Sequence, residues 1–131
     1  GFRSYLAPPW NRIAADVTAR IGEAGLSGIS LYTDRPKGLA ADVPAVHTHL
    51  DIIDWKAGRS FIGAGFVDKL FAAALNRRRE GEVAERSAIG LLTHHLVHDL
   101  ACDGFTHAFA TFVSAHPALE CCNIEEAFQG T

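Results

Sequence analysis

The sequence predicts an α/β fold, a mostly parallel sheet with flanking helices, from three observations. Short apolar runs of strand length alternate along the chain with stretches whose apolar residues recur at helical spacing, and such alternation implies parallel strands joined by crossovers. Two of the strand-like runs, in Val46–Trp55 and Gly90–Asp99, end in imidazoles and carboxylates and hold five of the seven histidines, the placement expected of chemistry at the carboxyl ends of parallel strands. Finally, 131 residues with 48% apolar side chains and a net charge of −3 suit a single domain, residues 1–131, that buries a core.

Taken in order, Phe2–Leu6 reads as a strand closed by Pro8 and Pro9, and Ile13, Val17 and Ile21 mark a helix that ends at Gly25. Gly28–Tyr32 is a second strand, Thr33–Pro44 a loop punctuated by prolines and a glycine, and Ala45–Leu50 a third strand. After a loop over Lys56–Ser60, Val67, Leu70, Phe71, Ala74 and Leu75 share one helix face, and that helix runs out over Arg79–Gly81. Ile89–Thr93 is apolar on both faces and is expected to be a central, buried strand. Phe105, Phe109, Phe112 and Val113 mark another helix, stopped by His116 and Pro117. Ala118–Cys122 reads as a fifth strand, and Asn123 with Glu126 three residues later forms a capping box for a terminal helix. Five strands are too few to close an eight-stranded barrel.

The mildly acidic balance excludes an electrostatic footprint for nucleic acid: the one dense basic cluster, Arg77-Arg78-Arg79, is followed by Glu80 and Glu82 and reads as a solvated helix end. No apolar run approaches the ~18 residues of a membrane span. Three cysteines, two of them adjacent at Cys121 and Cys122, make a poor disulfide framework and are expected to be free thiols in a reducing compartment, which favours the cytoplasm. The sequence has no methionine, so Gly1 is not an initiator and the chain is expected to be a piece of a longer protein.

Alternate residues of a strand share a face, so His47, His49 and Asp51 are expected to point the same way. Such a polar row is either a metal site, since neutral imidazole and carboxylate are common zinc ligands, or a face turned to solvent or to a hydrogen-bond network. His94 closes the fourth strand with an open approach, and a neighbouring carboxylate such as Asp54 would stabilise its imidazolium for proton transfer; a capping or packing role is the alternative. His95, His98 and Asp99 form a weaker candidate ligand cluster.

At these residues the sequence resembles the polysaccharide deacetylase family, the NodB-homology carbohydrate esterases. Leu6-Ala7-Pro8-Pro9-Trp10-Asn11-Arg12 looks like the family's third motif, Asp51–Trp55 like the fourth and Leu92-Thr93-His94 like the fifth, in that order, and the resemblance runs along nearly the whole chain. It implies the carboxyl-terminal half of a deformed (β/α) barrel and a metal-dependent hydrolysis of N- or O-acetyl groups on a carbohydrate. Carried over by residue, His94 would be the general acid that protonates the departing amine, Asp54 the carboxylate that orients it, and Trp55 and Leu92 the walls of an acetyl pocket, with Pro9 and Trp10 as further substrate-binding positions. Ala7 stands where the family usually has an arginine, with Arg12 or Arg3 as candidate replacements. The divalent metal, expected to be zinc, would take its ligands from the family's first two motifs, which would lie before residue 1. The expected partners are therefore an acetylated carbohydrate and a missing amino-terminal half or partner chain, and an open sheet edge also allows a homo-oligomer. A non-catalytic carbohydrate-binding or scaffold protein of the same fold is the alternative.

Overall fold

A computed structural model describes residues 3–32, 38–40 and 42–129. Phe2, Thr33–Lys37 and Ala41, parts of the expected first strand and first long loop, lie outside the described residues. Four parallel strands, β1 (Tyr5–Leu6), β2 (Gly28–Tyr32), β3 (Ala45–Asp51) and β6 (Gly90–Leu92), form one sheet in the order β1-β2-β3-β6. A small antiparallel ribbon, β4 (Ile53–Asp54) with β5 (Ser60–Phe61), follows directly from the end of β3. The helices are α1 (Ala15–Thr18), α2 (Ala64–Arg79), α3 (Leu100–Ala115) and α4 (Ile124–Gln129). The α/β class with a parallel sheet and flanking helices is thus as expected.

Two glycines show why neighbouring elements approach so closely. A Cβ on Gly28 would lie 2.6 Å from the ring of Phe128, which α4 lays against the sheet and stacks on Tyr5 at 4.0 Å between centroids. A Cβ on Gly90 would lie 2.9 Å from the carbonyl oxygen of His47, so β6 can sit on β3 only because that side chain is absent.

Two apolar clusters hold the molecule. Leu50, Ile52, Ile53, Val67 and Cys102 are buried together, with Leu70 and Phe71 of α2 and Phe105 and Phe109 of α3 packed around them. Ile21, Ile29 and Leu31 form the second, under β1 and the first loop. Burial of each such aliphatic side chain stabilises by about 1.5–3 kcal/mol before entropy is counted.

Three elements differ from the sequence reading. The first helix shrinks to the single turn of α1 followed by a 3₁₀ turn at Gly22–Ala24 that Gly25 ends as expected, because Val17 is 52% exposed and contributes no buried face, and Gly22 interrupts the helical stretch. The apolar strand expected at the centre is β6, half-buried and outermost in the described sheet. Ala118–Cys122 is irregular rather than a strand: it joins no ladder among the described residues, and both cysteines are exposed. The capping box, in contrast, forms in full, Asn123 N–H donating to Glu126 Oε2 at 2.7 Å and Glu126 N–H to Asn123 Oδ1 at 3.0 Å.

Candidate active site

Parallel strands deliver their carboxyl ends to one rim, and there Asp51 closes β3 while His94 follows β6 by two residues. The register pairs Asp51 with Leu92, so His94 follows two residues beyond the level of Asp51 on the adjacent strand. His94 Nε2 lies 3.4 Å from Asp51 Oδ1, within ion-pair range but outside hydrogen-bond alignment. Trp55 completes the group: its indole Nε1–H donates to Asp51 Oδ2 at 2.8 Å, and its ring meets His94 edge-on at 4.7 Å. Ile53 N–H donates to Asp51 Oδ1 at 3.0 Å, so both carboxylate oxygens are held.

The reason for this convergence is local. A chain leaving β3 turns immediately into β4, and the four-residue step from Asp51 to Trp55 folds the indole back over the carboxylate. On the other strand, Thr93–His98 is a tight turn in which Val97 N–H donates to His94 carbonyl oxygen at 2.9 Å and His94 N–H to His98 Nε2 at 3.1 Å. That bond makes His98 Nε2 an acceptor, leaving Nδ1 to face Asp103 Oδ1 at 3.3 Å. Asp99 caps α3, accepting from Cys102 N–H at 2.8 Å, and its second oxygen accepts from Phe61 N–H at 3.1 Å. His98 and Asp99 are therefore occupied in holding the turn and the helix, and His95 is exposed beside them.

The carboxylate that meets His94 is Asp51 rather than Asp54. Asp54 Oδ1 instead accepts from Lys56 and Ala57 N–H, each at 2.9 Å, and shapes the turn between β4 and β5. The expected row of His47, His49 and Asp51 is also broken. The register shifts between Thr48 and Leu50, a bulge that ends the two-residue alternation. His47 and His49 line a cavity against α2, while Asp51 turns to the rim. Among the described residues, no three His, Cys, Asp or Glu side chains come together to hold a metal ion.

Two further residues stand at the rim, Tyr32, which the sequence marks only as the end of a strand, and Asn11, which it marks only as part of Leu6–Arg12. Tyr32 ends β2, and burial pushes its phenol above the ordinary 10.0, with the Asp51 carboxylate adding to the shift and a hydrogen bond from Asp51 N–H offsetting part of it. At neutral pH it is a neutral donor. Asn11 clamps the end of the same strand, accepting from Tyr32 N–H at 2.6 Å and donating to Tyr32 carbonyl oxygen at 3.3 Å. Pro9 opens that turn, and Trp10 and Asn11 both sit at φ 56°, a left-handed conformation that costs about 1–2 kcal/mol per residue outside glycine. The turn holds Trp10 out over the rim, 80% exposed, with its ring 6.4 Å from that of Trp55. Leu92 is half-buried at the end of β6. Arg3 pairs with Glu125 of α4 at 2.8 Å, and Arg12 is exposed after the turn.

Chemically, the arrangement sets an imidazole within ion-pair range of a carboxylate and edge-on to an indole. His94 Nε2 is the ring nitrogen nearest Asp51. No helix among the described residues is long and apolar enough to cross a membrane. No protein-family model, curated protein or solved structure matches the chain.

Proposed function

We propose that this chain supplies the proton-donating side of a hydrolase that removes acetyl groups from a sugar or polysaccharide, within a deformed barrel of the NodB-homology polysaccharide deacetylase type. The observation that carries this reading is the convergence of Asp51, Trp55 and His94 at the carboxyl ends of adjacent parallel strands. The resemblance at Leu6–Arg12, Asp51–Trp55 and Leu92–His94 supports it, because the motifs far apart in sequence are the ones that meet.

The residues present do not fit a cation, since no three candidate ligands assemble among the described residues. The proposal therefore puts the divalent metal and its ligands on a preceding half or a partner chain. On this reading His94 gives a proton to the departing amine or alkoxide, with the Asp51 carboxylate beside its Nε2 to stabilise the imidazolium. Trp55 meets the imidazole edge-on, and on this reading it would wall an acetyl methyl together with Leu92, with Pro9 and Trp10 as outer substrate positions. In the intact protein, His94→Ala should reduce acetate release from an acetylated glycan by about 10²- to 10⁴-fold. Unchanged turnover would remove the acid role.

A carbohydrate-binding protein without hydrolysis is the second reading, and the exposed rings of Trp10 and Trp55 favour it, since such faces stack on apolar sugar surfaces. Retention of a glycan without acetate release, in the intact protein with zinc supplied, would select it.

A further inference from the structure

We propose that the outward face of α3 docks on the same face of a second copy of this chain, with the two helices antiparallel about a two-fold axis. This contact is independent of the hydrolase reading and uses none of the residues placed at the rim. It is also separate from the open edge of the sheet, since no strand takes part.

Two stripes run along opposite sides of α3. Cys102, Phe105 and Phe109 face the core. Leu100, Gly104, His107, Thr111 and Ser114 follow one another at steps of four, three, four and three, the repeat of a helix–helix seam, and all five are exposed. A helix face turned to water carries charge, as α2 does with Asp68, Lys69 and Arg79. On α3 the exposed ionisable side chains are Asp103 and His107, and Asp103 is already engaged with His98 at 3.3 Å. Glycine weakens a helix interior, yet at Gly104 an added Cβ would meet no described atom within 4 Å apart from its own helix backbone. Packing among the described residues therefore does not require a glycine there, whereas close approach of a second helix does.

The shape of the face selects the occupant. At the start of the stripe Leu100 is 90% exposed, and Leu96 in the preceding turn is 87% exposed. Toward the other end, His107, Ala110, Thr111, Ser114 and Ala115 line a shallow open groove. Leu100 and Thr111 are eleven residues apart, about 16 Å along a helix. In an antiparallel pair the leucines of each copy therefore reach the groove of the other, and each Gly104 lies near the axis, opposite His107 of the second copy. A face with its projections at one end and its groove at the other is complementary to itself under a two-fold rotation. The available area is sufficient. The chain exposes 8833 Å² against about 6,700 Å² for a compact chain of 14.1 kDa, and an interface of standard size takes about 800 Å² from each partner.

Sedimentation of the 131-residue chain across micromolar concentrations tests the pairing. The unaltered chain should approach twice 14.1 kDa as the concentration rises. Leu100→Glu puts a charge on the projecting end, in the first turn, where the helix dipole favours an acid. Gly104→Gln fills the space at the axis with a better helix former. Each should weaken self-association by about tenfold or more, with the helical content unchanged in circular dichroism. Lys69→Glu, on the exposed face of α2, should leave the mass as it is. If one seam variant fails to fold, the other still tests the face. A chain that stays at 14.1 kDa at every concentration overturns the pairing and leaves the face to a different protein or to a lipid surface. Association that the folded variants do not weaken also overturns it and places the contact elsewhere, the sheet edge included.

Discussion

Asp51 and Asp54 are both acidic, three residues apart and part of one motif, yet one holds an imidazole and an indole while the other shapes a turn. In the intact protein, Asp51→Asn should lower acetate release by up to about 10²-fold, because the ring loses the charge that stabilises its imidazolium. Asp54→Asn keeps an oxygen acceptor for Lys56 and Ala57 and should leave the rate near that of the unaltered protein. Steady-state acetate release separates the two, and the reverse order would return the role to Asp54. The types of residue at the rim were legible in the sequence, but their pairing was not: it depends on where β3 ends and where its alternation breaks, which the bulge between Thr48 and Leu50 decides. Thiols differ as sharply. Burial pushes the Cys102 thiol above its ordinary value, whereas Cys121 and Cys122 are exposed, so a disulfide reagent should titrate two of the three thiols in the native protein and all three after denaturation. Rapid reaction of all three in the native state would show that α3 does not stay packed.

At the scale of elements, Asp99 ties α3 to β5 beside the Phe61–Phe105 ring contact at 5.1 Å. Asp99 receives N–H from Cys102, which lowers its carboxyl below the ordinary 3.8, and from Phe61, which lowers it further. A carboxylate held this way contributes stability above pH 3.8 and loses it as the pH falls through the depressed folded value. The melting temperature of Asp99→Asn should therefore lie below that of the unaltered chain at pH 6, and the gap should narrow below pH 3.8. A gap independent of pH would mean that the charge is irrelevant and only the cap's geometry counts. The legible elements were those with periodicity or cap chemistry of their own: α2 and α3 show their apolar faces, and the box at Asn123 and Glu126 forms as written. Elements that depend on a neighbour were misread. Ala118–Cys122 has strand-like composition but joins no ladder among the described residues, and β6 has a buried strand's composition at an outer position. Strand identity belongs to a pair, and a single sequence shows only one member.

For the molecule as a whole, the two apolar clusters depend on the chain around β3, and the larger centres on Ile52, which has no exposed surface. Ile52→Ala should cost about 2–5 kcal/mol in denaturant unfolding. The outer surface is more unusual. At 14.1 kDa a compact chain exposes about 6,700 Å², and this one exposes 8833 Å², with Leu96 and Leu100 respectively 87% and 90% accessible. An unfolded chain of this mass exposes about 20,000 Å², so unfolding uncovers about a sixth less surface than it would from a compact fold. The heat capacity of unfolding should fall below the average for 131 residues, roughly 1.6–2.0 kcal/mol/K, by a similar fraction. Calorimetry at several pH values measures it. A value at the average would mean that the excess surface is already covered in solution, and sedimentation at the same concentration would distinguish a second copy, with a mass near twice 14.1 kDa, from closure of the chain upon itself.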